Sequence, residues 1–108
     1  MHTLLVVATR PPEWTADEFV AWWRGPHADI ARNLPGLIQY RHGAVEDSFD
    51  DRSAGWDAYA VLGFATREAL DGALVSPEWA AAVEHTGDMR GRRLAWICDE
   101  VDLLHALA

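Results

Sequence analysis

Apolar residues along this chain repeat with two periods. Across 15–33, Phe19, Trp23 and Ile30 recur at helical spacing, with Leu34 just beyond, and at about 100° per residue they share one side of a helix. His27 falls inside that stripe. Thr15 and Glu18 have the spacing of a capping box, in which each side chain satisfies the other's backbone amide, and Asp17 puts negative charge where the helix dipole favours it. Trp14 occupies the position of a hydrophobic staple onto Phe19. Gly25-Pro26 interrupts the pattern: Pro26 has no N–H for the carbonyl of Trp22, which predicts a kink or loosened turn one residue before His27. Pro35-Gly36 then ends the helix.

The remaining apolar runs have the period of strands. Residues 2–9 are rich in Leu and Val and stop at Arg10-Pro11-Pro12, predicting a buried first strand. Residues 37–45 predict a second, with Ile38, Tyr40, His42 and Ala44 on one side and Leu37, Gln39, Arg41 and Val45 on the other. An acidic connection with Gly and Ser spans 46–55. A third strand over 56–64 sets Trp56, Ala58, Ala60, Leu62 and Phe64 against Asp57, Tyr59 and Val61. Thr66 and Glu68 open a second helical region through Leu70 and Leu74; Ser76-Pro77 restarts it, and Trp79, Val83 and Met89 continue its apolar side. A last strand is expected over 93–104.

The order βαββαβ in one domain spanning 1–108 predicts an α+β, ferredoxin-like fold, with a four-stranded antiparallel sheet and both helices on one face. The strands, however, are apolar on both sides: Leu5 and Val7 lie opposite Leu4 and Val6, and Ala95, Ile97 and Val101 lie opposite Leu94 and Trp96. Antiparallel sheets with one wet face alternate instead, and two helices cover only one face. The pattern therefore predicts a homodimer with its sheets packed face to face and a pocket between each sheet and its own helices.

Composition narrows the partners. Seventeen acidic against nine basic residues give a net charge of −8, which opposes phosphate backbones and anionic membranes, so no nucleic acid and no membrane partner is expected. The one basic cluster, Arg90, Arg92 and Arg93, reads as a solvated loop. Cys98 is the only cysteine, the run at 4–8 is too short for a signal-peptide core, and nothing approaches membrane-spanning length; a cytoplasmic location is expected. Six Trp in 108 residues suggest large aromatic walls.

The groups able to move protons near a helix–sheet pocket are His27, Tyr40, His42 and Tyr59. A neutral imidazole accepts a proton near pH 7 and a phenol donates to a developing oxyanion, so His27 and Tyr40 make a minimal catalytic pair. Two readings of His27 stay open, since a histidine on an apolar helix face also serves as a core residue bonded to a carbonyl. Trp23, Trp56 and Trp96 are candidate substrate walls or core residues, and His42 and Tyr59 candidate substrate contacts. His85 and His105 read as surface groups. No His or Cys pair has zinc spacing, the scattered His and Asp residues are weak evidence for any metal, and no glycine pattern suits a nucleotide phosphate, so a nucleotide cofactor is not expected.

The run EFVAWWRGPHADIARNLPGLIQY over 18–40 resembles the signature of the EthD-like branch of the dimeric α/β-barrel superfamily: an aromatic-rich helix, a His, then Leu-Pro-Gly-Leu and a following aromatic. Gly63-Phe64 at a strand end and Ser76-Pro77-Glu78 before a helix extend the resemblance over nearly the whole chain. It implies a homodimer with one pocket per subunit and neither metal nor organic cofactor, in a family that includes methylmuconolactone methylisomerases, polyketide-tailoring enzymes and an auxiliary protein of ether degradation. His27 and Tyr40 match positions that the isomerase branch uses near substrate, whereas Arg32 and Leu62 stand where that branch has a second His and a Cys. The expected activity is cofactor-independent proton transfer (isomerisation, dehydration or cyclisation, as by an isomerase or lyase) on a small hydrophobic oxygenated molecule such as a lactone or polyketide. The alternatives are a cofactor-free monooxygenase of phenolic substrates and a non-catalytic ligand carrier.

Overall fold

A computed structural model describes residues 1–87 and 91–105. Met89 and Arg90, and the tail beyond 105, lie outside the described residues. The elements are β1 (His2–Ala8), α1 (Ala16–Trp22), a π turn (Trp23–His27), α2 (Ala28–Ala31), β2 (Leu37–Ala44), a 3₁₀ turn (Asp51–Ser53), β3 (Ala58–Phe64), α3 (Arg67–Leu74), α4 (Pro77–Thr86) and β4 (Arg93–Asp99).

Local chemistry explains the helix boundaries. Thr15 accepts from the Glu18 amide and Glu18 returns a bond to the Thr15 amide, closing the capping box. Trp14 meets Phe19 edge to face at 6.5 Å, the expected staple. Thr66 caps α3, and Ser76 with Pro77 starts α4. Gly36, at φ +76°, provides the left-handed residue that turns the chain into β2.

The strands form one antiparallel sheet in the order β2-β3-β1-β4, the ferredoxin-like arrangement. The helical segments pack on one face, where Leu4, Ala8, Phe19, Trp23, Leu34, Ala60, Leu62, Phe64 and Leu70 form the core. Register assigns the other face: Leu5 lies opposite Val61 and Trp96, and Val7 opposite Tyr59 and Leu94. None of these residues belongs to the helix-side core; Val61 is buried, but Tyr59, Leu94 and Trp96 are 44%, 42% and 49% exposed. Among the described residues no helix is long and apolar enough to cross a membrane.

One strand irregularity and two strand boundaries differ from expectation. A bulge between Leu37 and Gln39 turns Leu37 onto the core and leaves Ile38 exposed, so strict alternation assigns both to the wrong side. β3 starts at Ala58, so Trp56 precedes it. β4 ends at Asp99 rather than near 104, and Glu100 exchanges backbone hydrogen bonds with Met1 as the chain leaves the sheet.

Candidate functional site

The π turn sets the position of the first histidine. Without an N–H on Pro26 the α-helical ladder opens, and the Ala28 amide bonds the carbonyl of Trp23, five residues back, as well as that of Gly25. Residues five apart in an α-helix point about 140° apart. The wider turn instead stacks His27 on Trp22, with ring centroids 4.5 Å apart and planes 17° apart.

His85 of α4 completes this cluster. Its Nδ1 lies 3.0 Å from Nδ1 of His27, and the two rings are within 15° of parallel. Trp22 stacks on His85 as well, at 5.3 Å and 2°, so one indole spans both imidazoles. Two ring nitrogens at this separation bond only when one donates and the other accepts, so the pair holds a single proton between them. Burial pushes the His27 pKa down to about 4, helped by electrostatic repulsion between protonated forms of His27 and His85 and by the Arg93 charge, and the ring is neutral at pH 7.

His27 lines a cavity of about 260 Å³ between the sheet and its helices. Val6, Ala60, Leu62 and Ala95 form its sheet side, with Trp23, Ala31, Trp79, Ala82 and Val83 from the helices. Its polar wall groups are His27, Tyr40, Thr86 and Arg93, the combination of an apolar body and a few directed groups that small-molecule sites use. Trp23 Nε1–H donates to Tyr40 Oη at 3.1 Å, which occupies an acceptor position of the phenol and leaves its O–H to donate elsewhere. Burial raises the Tyr40 pKa, against smaller lowering contributions from that hydrogen bond and from Arg32, so the O–H is retained at neutral pH.

Trp23 and Tyr40 are also a wall of a second space, a cleft of about 300 Å³ lined by Arg24, Ala28, Arg32 and His42. Arg24 Nε donates to His42 Nδ1 at 3.0 Å, which places the imidazole proton on Nε2. Burial, then the Arg24 charge, lowers the His42 pKa. His42 is thus a neutral, fixed ring beside the cavity.

The expected site is therefore brought together in part. Trp23, His27 and Tyr40 meet at the cavity and His42 adjoins it. Tyr59 does not reach it: the ring lies on the outer sheet face, against Gly43, where a Cβ would overlap it. Trp56 and Trp96 are likewise elsewhere, lining a hollow of about 460 Å³ on that outer face with Val7, Val45, Phe49 and Leu94. Alternation groups residues by side but does not say which side the helices cover, and for Trp56 the alternation had not begun. Arg92 lies over the Trp56 ring at 5.0 Å.

Three site residues escape the sequence reading. His85 is not a surface group; it sits three residues beyond buried Ala82, the one spacing that hinted at its inward direction. Trp22 carried no signal, because only the π turn rotates His27 onto it. Arg93 opens β4 and lines the cavity rather than sitting in a solvated loop. His105 is at the surface as expected, bonded to Asp102. Among the described residues no cluster of three or more His, Cys, Asp or Glu could hold a metal.

Comparison with known structures places the fold among ferredoxin-like proteins. An EthD family protein from Bacillus halodurans C-125 matches with a TM-score of 0.72 at 19% identity, over 94% of this chain and 100% of that one. A protein of unknown function from Jannaschia sp. CCS1, described as dimeric and ferredoxin-like, matches at 0.65 and 23%, over 93% and 100%. A variant of SnoaB, a cofactor-independent oxygenase from Streptomyces nogalater, matches at 0.56 and 12%, over 93% and 95%. Comparison with curated protein sequences gives no match. Residues 11–88, most of the chain and the whole of the Trp22, His27, Tyr40 and His85 constellation, match the EthD domain, and the chain belongs to that family.

Proposed function

We propose that this protein is a proton-transfer enzyme acting, without an organic cofactor, on a small apolar molecule that carries a carbonyl or phenolic oxygen. The observation that carries the reading is a neutral imidazole and a phenol O–H facing one apolar cavity, each held by a partner behind it: His85 for His27 and Trp23 for Tyr40. With its Nδ1 engaged, His27 has Nε2 left for a ligand. It takes a proton from a carbon next to a carbonyl, or from a phenol, and the Tyr40 O–H donates to the oxygen on which negative charge develops. Burial that disfavours an imidazolium alone favours it once an enolate or phenolate lies beside it, and Arg93 adds positive charge at the same wall. Returning the proton at another atom is isomerisation; losing a hydroxyl or closing a ring is dehydration or cyclisation.

A second reading shares the first step. If the anion is an electron-rich phenolate, reaction with dioxygen makes the protein a monooxygenase, and the likeness to a cofactor-independent oxygenase supports that variant. The apolar outer face supports a homodimer paired through its sheets, and the Jannaschia protein of the same fold is described as dimeric.

The test is incubation in D₂O with a panel of apolar ketones, lactones and phenols, following deuterium uptake at carbon by NMR and oxygen uptake by product mass. Uptake by wild type should fall on the order of 10²- to 10⁴-fold in His27→Ala, and about 10²- to 10³-fold in Tyr40→Phe. A product that has gained one oxygen and lost two hydrogens, the second oxygen atom leaving as water with electrons taken from the phenol itself, selects the monooxygenase. Ligand binding with no uptake makes the protein a carrier, and uptake by His27→Ala within about tenfold of wild type defeats the acid–base assignment of His27.

A further inference from the structure

We infer that His85 is the second member of a two-imidazole proton relay, receiving from His27 the charge generated in the cavity and returning it when the product forms. This rests on the acid–base reading of His27 and extends it to a residue that does not line the cavity. The cluster has a definite order: cavity, His27, His85, with Trp22 stacked along both rings. The titratable and charged groups that bear on His27 are His85 from α4 and Arg93 from β4.

The shared hydrogen bond dictates the tautomers. For His27 to be a base toward the cavity its proton must sit on Nδ1, donated to Nδ1 of His85, whose own proton is then on Nε2. When His27 Nε2 accepts a substrate proton, its Nδ1 proton crosses the 3.0 Å contact. His85 becomes the imidazolium, the substrate is an enolate or phenolate, and His27 is neutral again with Nε2–H facing the cavity. Delivery of that proton to a second substrate atom draws the Nδ1 proton back from His85. Both rings return to their starting forms, and no oxidant or reductant is consumed. The relay thus makes one imidazole a base in the first half-reaction and an acid in the second, which is the requirement of an isomerase.

Substrate-free long-range ¹H–¹⁵N spectra of the histidine side chains test the arrangement first. Wild type at pH 7 should show one Nδ1–H ring, assigned to His27 by its loss in His27→Asn, and His85→Ala should return that ring to the common Nε2–H form. Both wild-type rings in the Nε2–H form would overturn the relay whatever the protein catalyses. Kinetics tests the role: His85→Gln keeps an acceptor for His27 but holds no proton, so deuterium uptake should fall at least tenfold with unchanged KM, and His85→Ala should not be rescued by it. Uptake by His85→Gln at the wild-type rate overturns the relay. A shared proton with no uptake of any probe overturns the acid–base reading, and with it the catalytic role of the pair.

Discussion

In the unfolded chain His27 protonates near pH 6.5, but in the folded protein burial, with His85 and Arg93, holds its pKa at about 4. Between these values the unfolded state binds a proton that the folded state refuses, so stability falls as pH drops from about 6.5 to about 4 and is unaffected above that window. The ring is only half-buried, so solvent screening reduces the effect to about 1–2 kcal/mol. Thermal denaturation between pH 7.5 and 4.5 should show a steeper acid loss in wild type than in His27→Gln; parallel profiles would refute the assignment. The lowered His42 pKa acts in the same direction in both proteins and cancels in the comparison. At this scale the sequence showed the titratable groups but not their partners. His27 and Tyr40 were legible because each lies on a predictable face, whereas His85 became a partner only when α4 came to lie over the π turn.

Elements whose boundaries are set by local bonds were the legible ones. The Thr15 capping box, the Trp14 staple and the Ser76-Pro77 start of α4 all involve residues within five positions of each other, and all form. Thr15→Ala should therefore lower stability by about 1 kcal/mol, visible as a reduced midpoint in urea with an unchanged slope; a change in slope would mean that the cap also organises the π turn. Features fixed by a neighbouring strand were not legible. The bulge that exchanges Leu37 and Ile38 depends on pairing with Phe64 and Gly63, and the early end of β4 depends on Glu100 finding Met1. Gly25-Pro26 lies between these cases: the sequence predicted an interruption, but that it would be a π turn followed from how the surrounding helix segments stay in register with the core.

For the whole molecule, the two-sided apolarity of the strands was the most informative pattern, since it called for a covering that the helices of one chain do not supply. The outer face carries Trp96, Leu94 and Tyr59 around the hollow at Trp56 or beside it. Trp96→Glu should dissociate a sheet-paired dimer, reducing the sedimentation mass by about half at micromolar concentration, because a carboxylate buried there would be unpaired. A wild type that sediments as a monomer would refute the pairing. Strand β1 belongs to both halves of the design, with Leu4, Val6 and Ala8 turned to the helices and Leu5 and Val7 turned away. A saturation scan of this one strand should then read as two interleaved records: even positions reporting pocket shape and turnover, odd positions reporting assembly, with neighbouring codons failing for unrelated reasons.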